Sequence, residues 1–184
     1  MPQSCDMPLI QPLAPNPTIS VVLYEPEIPG NTGTLMRLAA CWEMPLMLIE
    51  PLGFVLSDRR FRRSVMDYGV DSLQRFVSWP DFCRKRALHG RLVAVTPHAD
   101  SQRLDHMVFQ PGDHLIMGSE NAGLPQAIVD QCSAKVRIPM TSACRSMNLA
   151  LAAAIVWSEA LRQLSGFPKD STEAAMPLTE TVSL

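Results

Sequence analysis

Between about residues 19 and 164 the chain switches repeatedly between two hydrophobic periodicities, and this switching narrows its fold more than any other feature. The runs at 19–24 (ISVVLY), 45–50 (PLMLIE), 91–96 (RLVAVT), 114–118 (HLIMG) and 135–139 (KVRIP) are short and apolar, and each predicts a strand. Between them the apolar residues recur at helical spacing. Leu35, Leu38, Ala39 and Trp42 do so within 32–42, where Asn31 or Thr32 is expected to cap a helix. Further helices are predicted over 57–66, 80–88, 124–131 and the alanine-rich 147–164. Short apolar strands alternating with helices predict an α/β domain, its mostly parallel sheet flanked by helices and buried on both faces.

The two ends lack this pattern. Pro2, Pro8, Pro12, Pro15 and Pro17 crowd the start, so residues 1–18 are expected to form an irregular, extended arm. Residues 166–184 mix Gly, Pro, Ser, Thr and Glu without periodicity and are expected to be a flexible tail. That leaves 19–165 as the folded domain. The start lacks the basic and continuous apolar segments of a secretory signal. The longest apolar stretch, 149–157, is far below the ~20 residues that a membrane span needs. The five cysteines are scattered and have no C-x-x-C spacing, which argues against a disulfide framework or zinc site and fits a reducing cytoplasm. None of His89, His98, His106 and His114 has ligand spacing, so no metal is expected. A net charge of −2 does not advertise a nucleic-acid binder, although a local basic patch remains compatible with it.

Three loops stand out, each after a predicted strand, where open α/β sheets bind ligands. The first, EPEIPGNTG at 25–33, leads to Arg37. Asn31 and Arg37, six residues apart, are expected to point the same way, although, taken alone, a capped helix carrying a surface arginine describes them better. The second, MGSENAGLP at 117–125, makes a tight turn able to present backbone groups to a flat polar ligand. Its Glu120 reads equally as a reacting carboxylate or as an acid stabilising a helix start. The third, IPMTSACRSMNL at 138–149, offers Ser146 as an N-cap and sets Asn148 in the first turn. Separately, Arg59, Arg60, Arg62 and Arg63 surround Phe61. Such a run is commonly a solvated helix face, but four arginines without lysine favour phosphate contact.

Together and in this order, N-x-G-x-x-x-R (31–37), M-G-x-E-x-x-G-L-P (117–125) and I-P-M…R-S-M-N-L (138–149) resemble the three motifs of SpoU-type SPOUT RNA methyltransferases. LYEPEIPGNTG (23–33), IEPLGF (49–54) and RRFRR (59–63) resemble a narrower group, the small tRNA (cytidine/uridine-34)-2'-O-methyltransferases. The resemblance runs from about residue 19 to 166. It implies a C-terminal trefoil knot, a homodimer, and S-adenosyl-L-methionine as cofactor. It places cofactor contacts on Val95, Thr96, Gly118, Glu120, Ile138, Met140 and Ser146. It sets Asn31, Arg37, Glu120 and Asn148 around the reacting ribose of a tRNA anticodon stem-loop, and adds Arg145 to the arginine cluster as an RNA contact. The chain departs from the group's pattern at Gly30, where proline is common, at Asn121-Ala122, where an arginine is frequent, and at Pro97.

The resemblance also implies that Arg37 is the base. A guanidinium stays protonated, so a grip on the neighbouring phosphate suits it better. Other readings remain: methylation elsewhere in tRNA or in rRNA, or a non-catalytic RNA-binding protein on the same fold. A dinucleotide-dependent dehydrogenase is disfavoured, because G-x-G-x-x-G is absent.

Overall fold

The structure is a computed structural model, and it describes residues 19–56, 73–85 and 90–169. Its strands are β1 (Ser20–Tyr24), β2 (Leu46–Ile49), β3 (Gln74–Phe76), β4 (Leu92–Val95), β5 (Gln102–Arg103), β6 (His114–Met117) and β7 (Ala134–Arg137). They form one sheet in the order β3-β2-β1-β6-β4-β7-β5. Every pairing is parallel, so the expected sheet class holds. The helices are α1 (Pro29–Trp42), α2 (Trp79–Lys85), α3 (Gln126–Val129) and α4 (Leu149–Leu164), with a 3-10 turn at Leu104–His106.

Strand alternation builds two cores. Val21, Leu23, Leu48, Val93, Leu115 and Met117 face the side covered by α1 and α4, where Leu35, Val156, Trp157 and Leu161 meet them. Val22, Met47, Ile49, Ala94 and Ile116 face the other side, against Trp79, Phe82, Ile128 and Val129. A sheet buried on both faces explains why the strands read as continuous apolar runs rather than alternating ones. The alanines of α4 let it approach closely: Ala150, Ala153 and Ala160 are buried, and α4 packs on α1 and β6. Trp157 donates its indole N–H to the Ile19 carbonyl, tying the middle of α4 to the entry of β1.

Five strands lie where the apolar runs predicted them. β3 and β5 were not predicted. Both occupy sheet edges, and Gln74, Arg75, Gln102 and Arg103 are exposed, so neither carries an apolar signal. Helix α1 starts earlier than expected, at Pro29. Proline suits a first helical position because its missing N–H has no partner to lose there. The cap is therefore Ile28, without a side-chain cap bond, rather than Asn31 or Thr32. The predicted helix at 124–131 is the shorter α3, entered through Pro125. The described part of the predicted helix at 80–88 is α2; residues 86–89 and the whole of 57–72 lie outside the described residues. Beyond α4, Gly166 N–H bonds the Leu161 carbonyl and Phe167 packs on Trp42, their ring centroids 5.5 Å apart. The predicted arm, 1–18, and residues 170–184 of the predicted tail are outside the described residues.

Candidate active site

The loops after β1, β4, β6 and β7 converge at the carboxyl ends of the strands, where the sheet order reverses, and enclose a cleft of about 530 Å³. All seven residues expected to hold the cofactor line it: Val95, Thr96, Gly118, Glu120, Ile138, Met140 and Ser146. Asn31 and Asn148 line it too.

Three side chains, Asn31 from the first turn of α1, Glu120 from the loop after β6 and Asn148 at the start of α4, form one hydrogen-bonded chain along the cleft. The Asn148 Oδ1 accepts the backbone N–H groups of Ala150, at 2.9 Å, and Leu151, at 3.2 Å. This makes Asn148 the N-cap of α4, a place the sequence had given to Ser146. With its oxygen committed, Asn148 turns its Nδ2 toward Asn31 and donates to Oδ1 at 2.9 Å. Asn31 is thereby oriented as well, and its Nδ2 donates to Glu120 Oε1 at 2.9 Å. Glu120 also accepts the backbone N–H of Glu27 at 2.7 Å through Oε2, and that of Ile28 at 3.2 Å through Oε1. The polarity of every link is fixed by its neighbours. Glu120 does sit at a helix start, but at that of α1, 93 residues before it in the Glu27 contact, where a carboxylate meets the positive end of the peptide dipoles.

The loop carrying Glu120 is folded back on itself. Ser119 and Gly123 exchange backbone hydrogen bonds of 3.2 and 2.9 Å. Gly123 holds φ of +70°, which glycine adopts without strain. A Cβ on Gly118 would lie 2.1 Å from the Gly123 carbonyl carbon and 2.2 Å from Leu124 N, so no side chain fits. A second tie fastens the loop to the one after β1, since Asn121 donates from Nδ2 to Glu27 Oε2.

Arg37 stands apart from this group. It is exposed on α1 and is not among the residues lining the cleft, whereas Asn31 is buried. The expectation that the two point the same way is therefore corrected. At about 100° per residue, six positions rotate a side chain to about 120° from its starting direction. Arg145 is exposed in the loop between β7 and α4. Arg59, Arg60, Arg62 and Arg63 lie outside the described residues. Among the described residues no group of three or more His, Cys, Asp or Glu could hold a metal ion. Nor is any helix among them long and apolar enough to cross a membrane.

Sequence reasoning missed part of the wall. Ile28, Leu149 and Ala152 give the cleft an apolar side. Leu149 and Ala152 are three residues apart on α4, and this spacing beside Asn148 was the available signal. The Glu27–Asn121 tie had no such signal, because its partners are 94 residues apart.

The surroundings fit S-adenosylmethionine chemically. The cleft falls within the roughly 300–1,000 Å³ of small-molecule sites and combines an apolar wall with a glycine-bounded backbone loop.

The sequence profile of the SpoU rRNA Methylase family matches residues 18–158. The tRNA (cytidine(34)-2'-O)-methyltransferase of Beijerinckia indica is 43% identical over 151 residues, 81% of this chain and 94% of that protein. A solved structure concerned with the 2-OH methylation of C/U34 on tRNA is 37% identical, with a TM-score of 0.76 over 82% of this chain and 99% of that one. An AdoMet-bound rRNA methyltransferase from Sinorhizobium meliloti is 29% identical, with a TM-score of 0.70, covering 80% of this chain and 57% of the other.

Proposed function

Because the chain belongs to the SpoU rRNA methylase family, we infer that it is an S-adenosylmethionine-dependent methyltransferase that modifies the ribose 2'-oxygen of nucleotide 34, the wobble nucleotide of tRNA. The observation that carries this reading is the convergence of all three sequence motifs on one cleft, joined there by the Glu120–Asn31–Asn148 chain.

When bound, S-adenosylmethionine supplies a methyl group already activated on a sulfonium. What remains for the chain is alignment and proton removal. Val95, Thr96, Ile138, Met140 and Ser146 would hold the cofactor together with the 118–123 loop, and no metal would be needed. Asn31 and Asn148 orient the ribose. Glu120 acts by holding Asn31 and the start of α1, since both of its oxygens are already engaged by donors. Arg37, a guanidinium that keeps its proton and stands on the exposed side of α1 outside the cleft, grips the phosphate beside the target from there. The hydroxyl proton leaves to that phosphate or to water. Such alignment supplies up to ~7–11 kcal/mol in the best cases.

The finer architecture belongs to the same proposal. Ile138, Met140, Ser146, Met147 and Asn148 line the cleft beside Val95 of β4 and Met117 of β6, and α4 then packs against α1. That placement supports a C-terminal trefoil knot, a rare arrangement among proteins. Leu151 and Ile155 leave an apolar strip exposed on α4, which supports a homodimer. The anticodon stem-loop would be held by Arg145 and by Arg59, Arg60, Arg62 and Arg63, in a cytoplasmic enzyme.

Incubation with labelled S-adenosylmethionine and total tRNA, followed by nucleoside mapping, tests the reading. The label is expected on the 2'-oxygen of nucleotide 34. A methyl on a base, or on a ribose outside the anticodon loop, overturns the substrate. Replacing Arg62 and Arg63 by alanine is expected to flatten the salt dependence of tRNA binding, whose slope is roughly −0.7 to −0.9 per phosphate contact.

A further inference from the structure

Glu27, in the loop after β1, meets two further loops at once. Its backbone N–H donates to Glu120 Oε2 at 2.7 Å, and its own Oε2 accepts from Asn121. The two loops thus clasp reciprocally: each lends a carboxylate, and each receives one from the other. The third loop, after β2, lies directly on the same residue. Gly53 N–H bonds the Pro26 carbonyl at 3.0 Å, and a Cβ on Gly53 would come within 2.7 Å of Glu27 Cα. Glu27 is therefore pressed from one side by the β2 loop and tied on the other to the loop that bounds the cleft. Asn121 and the adjoining Ala122 are exposed on the outer part of that loop, where Ser119 Oγ accepts the Ala122 N–H at 3.3 Å within the loop and the Glu27 clasp ties it to the neighbouring loop. Glu120 restrains its inner part.

We propose that Glu27 and Asn121 are positioning residues that hold the 118–123 loop in its cofactor-binding shape. Neither needs to touch the reacting atoms. This rests on the cleft being the S-adenosylmethionine site, as inferred above. The side-chain bond is charge-assisted, and losing such a bond corresponds to about a tenfold change in a binding constant. Its loss should therefore weaken cofactor binding while leaving the rate at saturating cofactor nearly intact, because Asn31, Asn148 and Arg37 are untouched.

The test compares Glu27→Ala, Glu27→Gln, Asn121→Ala and the double alanine variant in two measurements. The first is amide hydrogen exchange of residues 118–123 in the ligand-free protein. Glu27→Ala and Asn121→Ala should each speed exchange there. Glu27→Gln, whose amide oxygen can still accept from Asn121, should not. The second is calorimetric affinity for S-adenosylhomocysteine together with KM and kcat for methyl transfer. Each alanine variant should lose about tenfold in affinity and raise KM for the cofactor with kcat within about twofold, and the double variant should be no worse than either single one. Equal exchange in Glu27→Ala and wild type, or losses that multiply in the double variant, would overturn the proposal. Wild-type protein that binds no S-adenosylhomocysteine would overturn the cofactor reading instead, and the exchange comparison would still judge the clasp.

Discussion

Asn148 shows how one side chain can serve two purposes that a sequence cannot separate. Its oxygen caps α4 and its nitrogen orients Asn31. Removing both functions with Asn148→Ala is expected to cost about 1 kcal/mol of stability through the lost cap, or roughly 2–4 °C in melting temperature, and to abolish most methyl transfer. Asn148→Asp separates them. It keeps the capping oxygen but sets a second oxygen against Asn31 Oδ1. Asn31 cannot simply flip its amide, because its oxygen would then face Glu120. The aspartate variant should melt close to wild type and still lose about tenfold or more in turnover. If it turns over normally, the orienting role is wrong. Arg37→Ala should do the reverse of a cofactor mutant: methyl transfer lost, S-adenosylhomocysteine affinity unchanged in calorimetry, as its place outside the cleft requires. At this scale the sequence singled out Asn31, Glu120 and Asn148, which the fold links in one cleft, and misjudged directions. Asn148 was expected within the first turn and is the cap; Arg37 was expected beside Asn31 and points elsewhere. Motif spacing records which residues are present. Direction depends on where a helix begins, and Pro29 moves that start for α1.

The elements around the cleft depend on two glycines that look alike in sequence and differ in surroundings. Gly30, in the first turn of α1, has nothing within 4 Å of an added Cβ, whereas Gly118 would drive its Cβ into the backbone of Gly123 and Leu124. Gly30→Ala should therefore be neutral or stabilising by up to about 1 kcal/mol, from the higher helix propensity of alanine. Gly118→Ala should lower the melting temperature and remove cofactor binding. Thermal melts of both variants check this, and a Gly118→Ala protein that melts like wild type would contradict the close approach. The far end of α4 offers a pH prediction. Glu159 is held at about 2, first by hydrogen bonds from Arg162 and then by one from Gln163. Gln163 in turn bonds the Met107 carbonyl and the Phe109 N–H, so the cluster fastens α4 to the 107–109 segment. A depressed carboxylate pKa contributes stability that is present above its ordinary value of 4.5 and is lost as pH falls toward about 2. Partial exposure of the pair weakens the effect. The melting-temperature gap between wild type and Glu159→Gln should accordingly be seen at pH 6 and close between about pH 4.5 and 2. Legibility at this scale followed burial. β1, β2, β4 and β6 are buried enough to leave an apolar signature, and β7 is marked by its buried Val136 alone, while the edge strands β3 and β5 expose polar side chains and left none.

For the molecule as a whole, the question is what completes the surface beside the cleft. Leu151 is 60% exposed and Ile155 is 39% exposed, one helical turn apart on α4, and Ile28 at the start of α1 is 47% exposed. Side chains four apart share one helix face, so Leu151 and Ile155 form a continuous apolar strip rather than scattered residues. The strip begins between the cleft-lining Leu149 and Ala152, so a partner covering it would lie close to the cleft. A second copy of the chain placed there would add its own surface to the RNA path beside each reacting ribose. It would also explain why α4 is alanine-rich and buried on one side yet keeps two large aliphatic residues exposed on another. The expected outcome is that wild-type protein sediments as two chains at micromolar concentration. The double variant Leu151→Glu, Ile155→Glu should sediment as one chain, retain its fold by circular dichroism, and lose methyl transfer to tRNA more than affinity for S-adenosylhomocysteine. Burying like charges at a two-fold contact is costly, because the symmetry brings the glutamate-bearing face of one copy against the same face of the other. Wild-type protein that remains a single chain at tens of micromolar would refute the dimer, and a charged variant that still pairs would move the contact to another face.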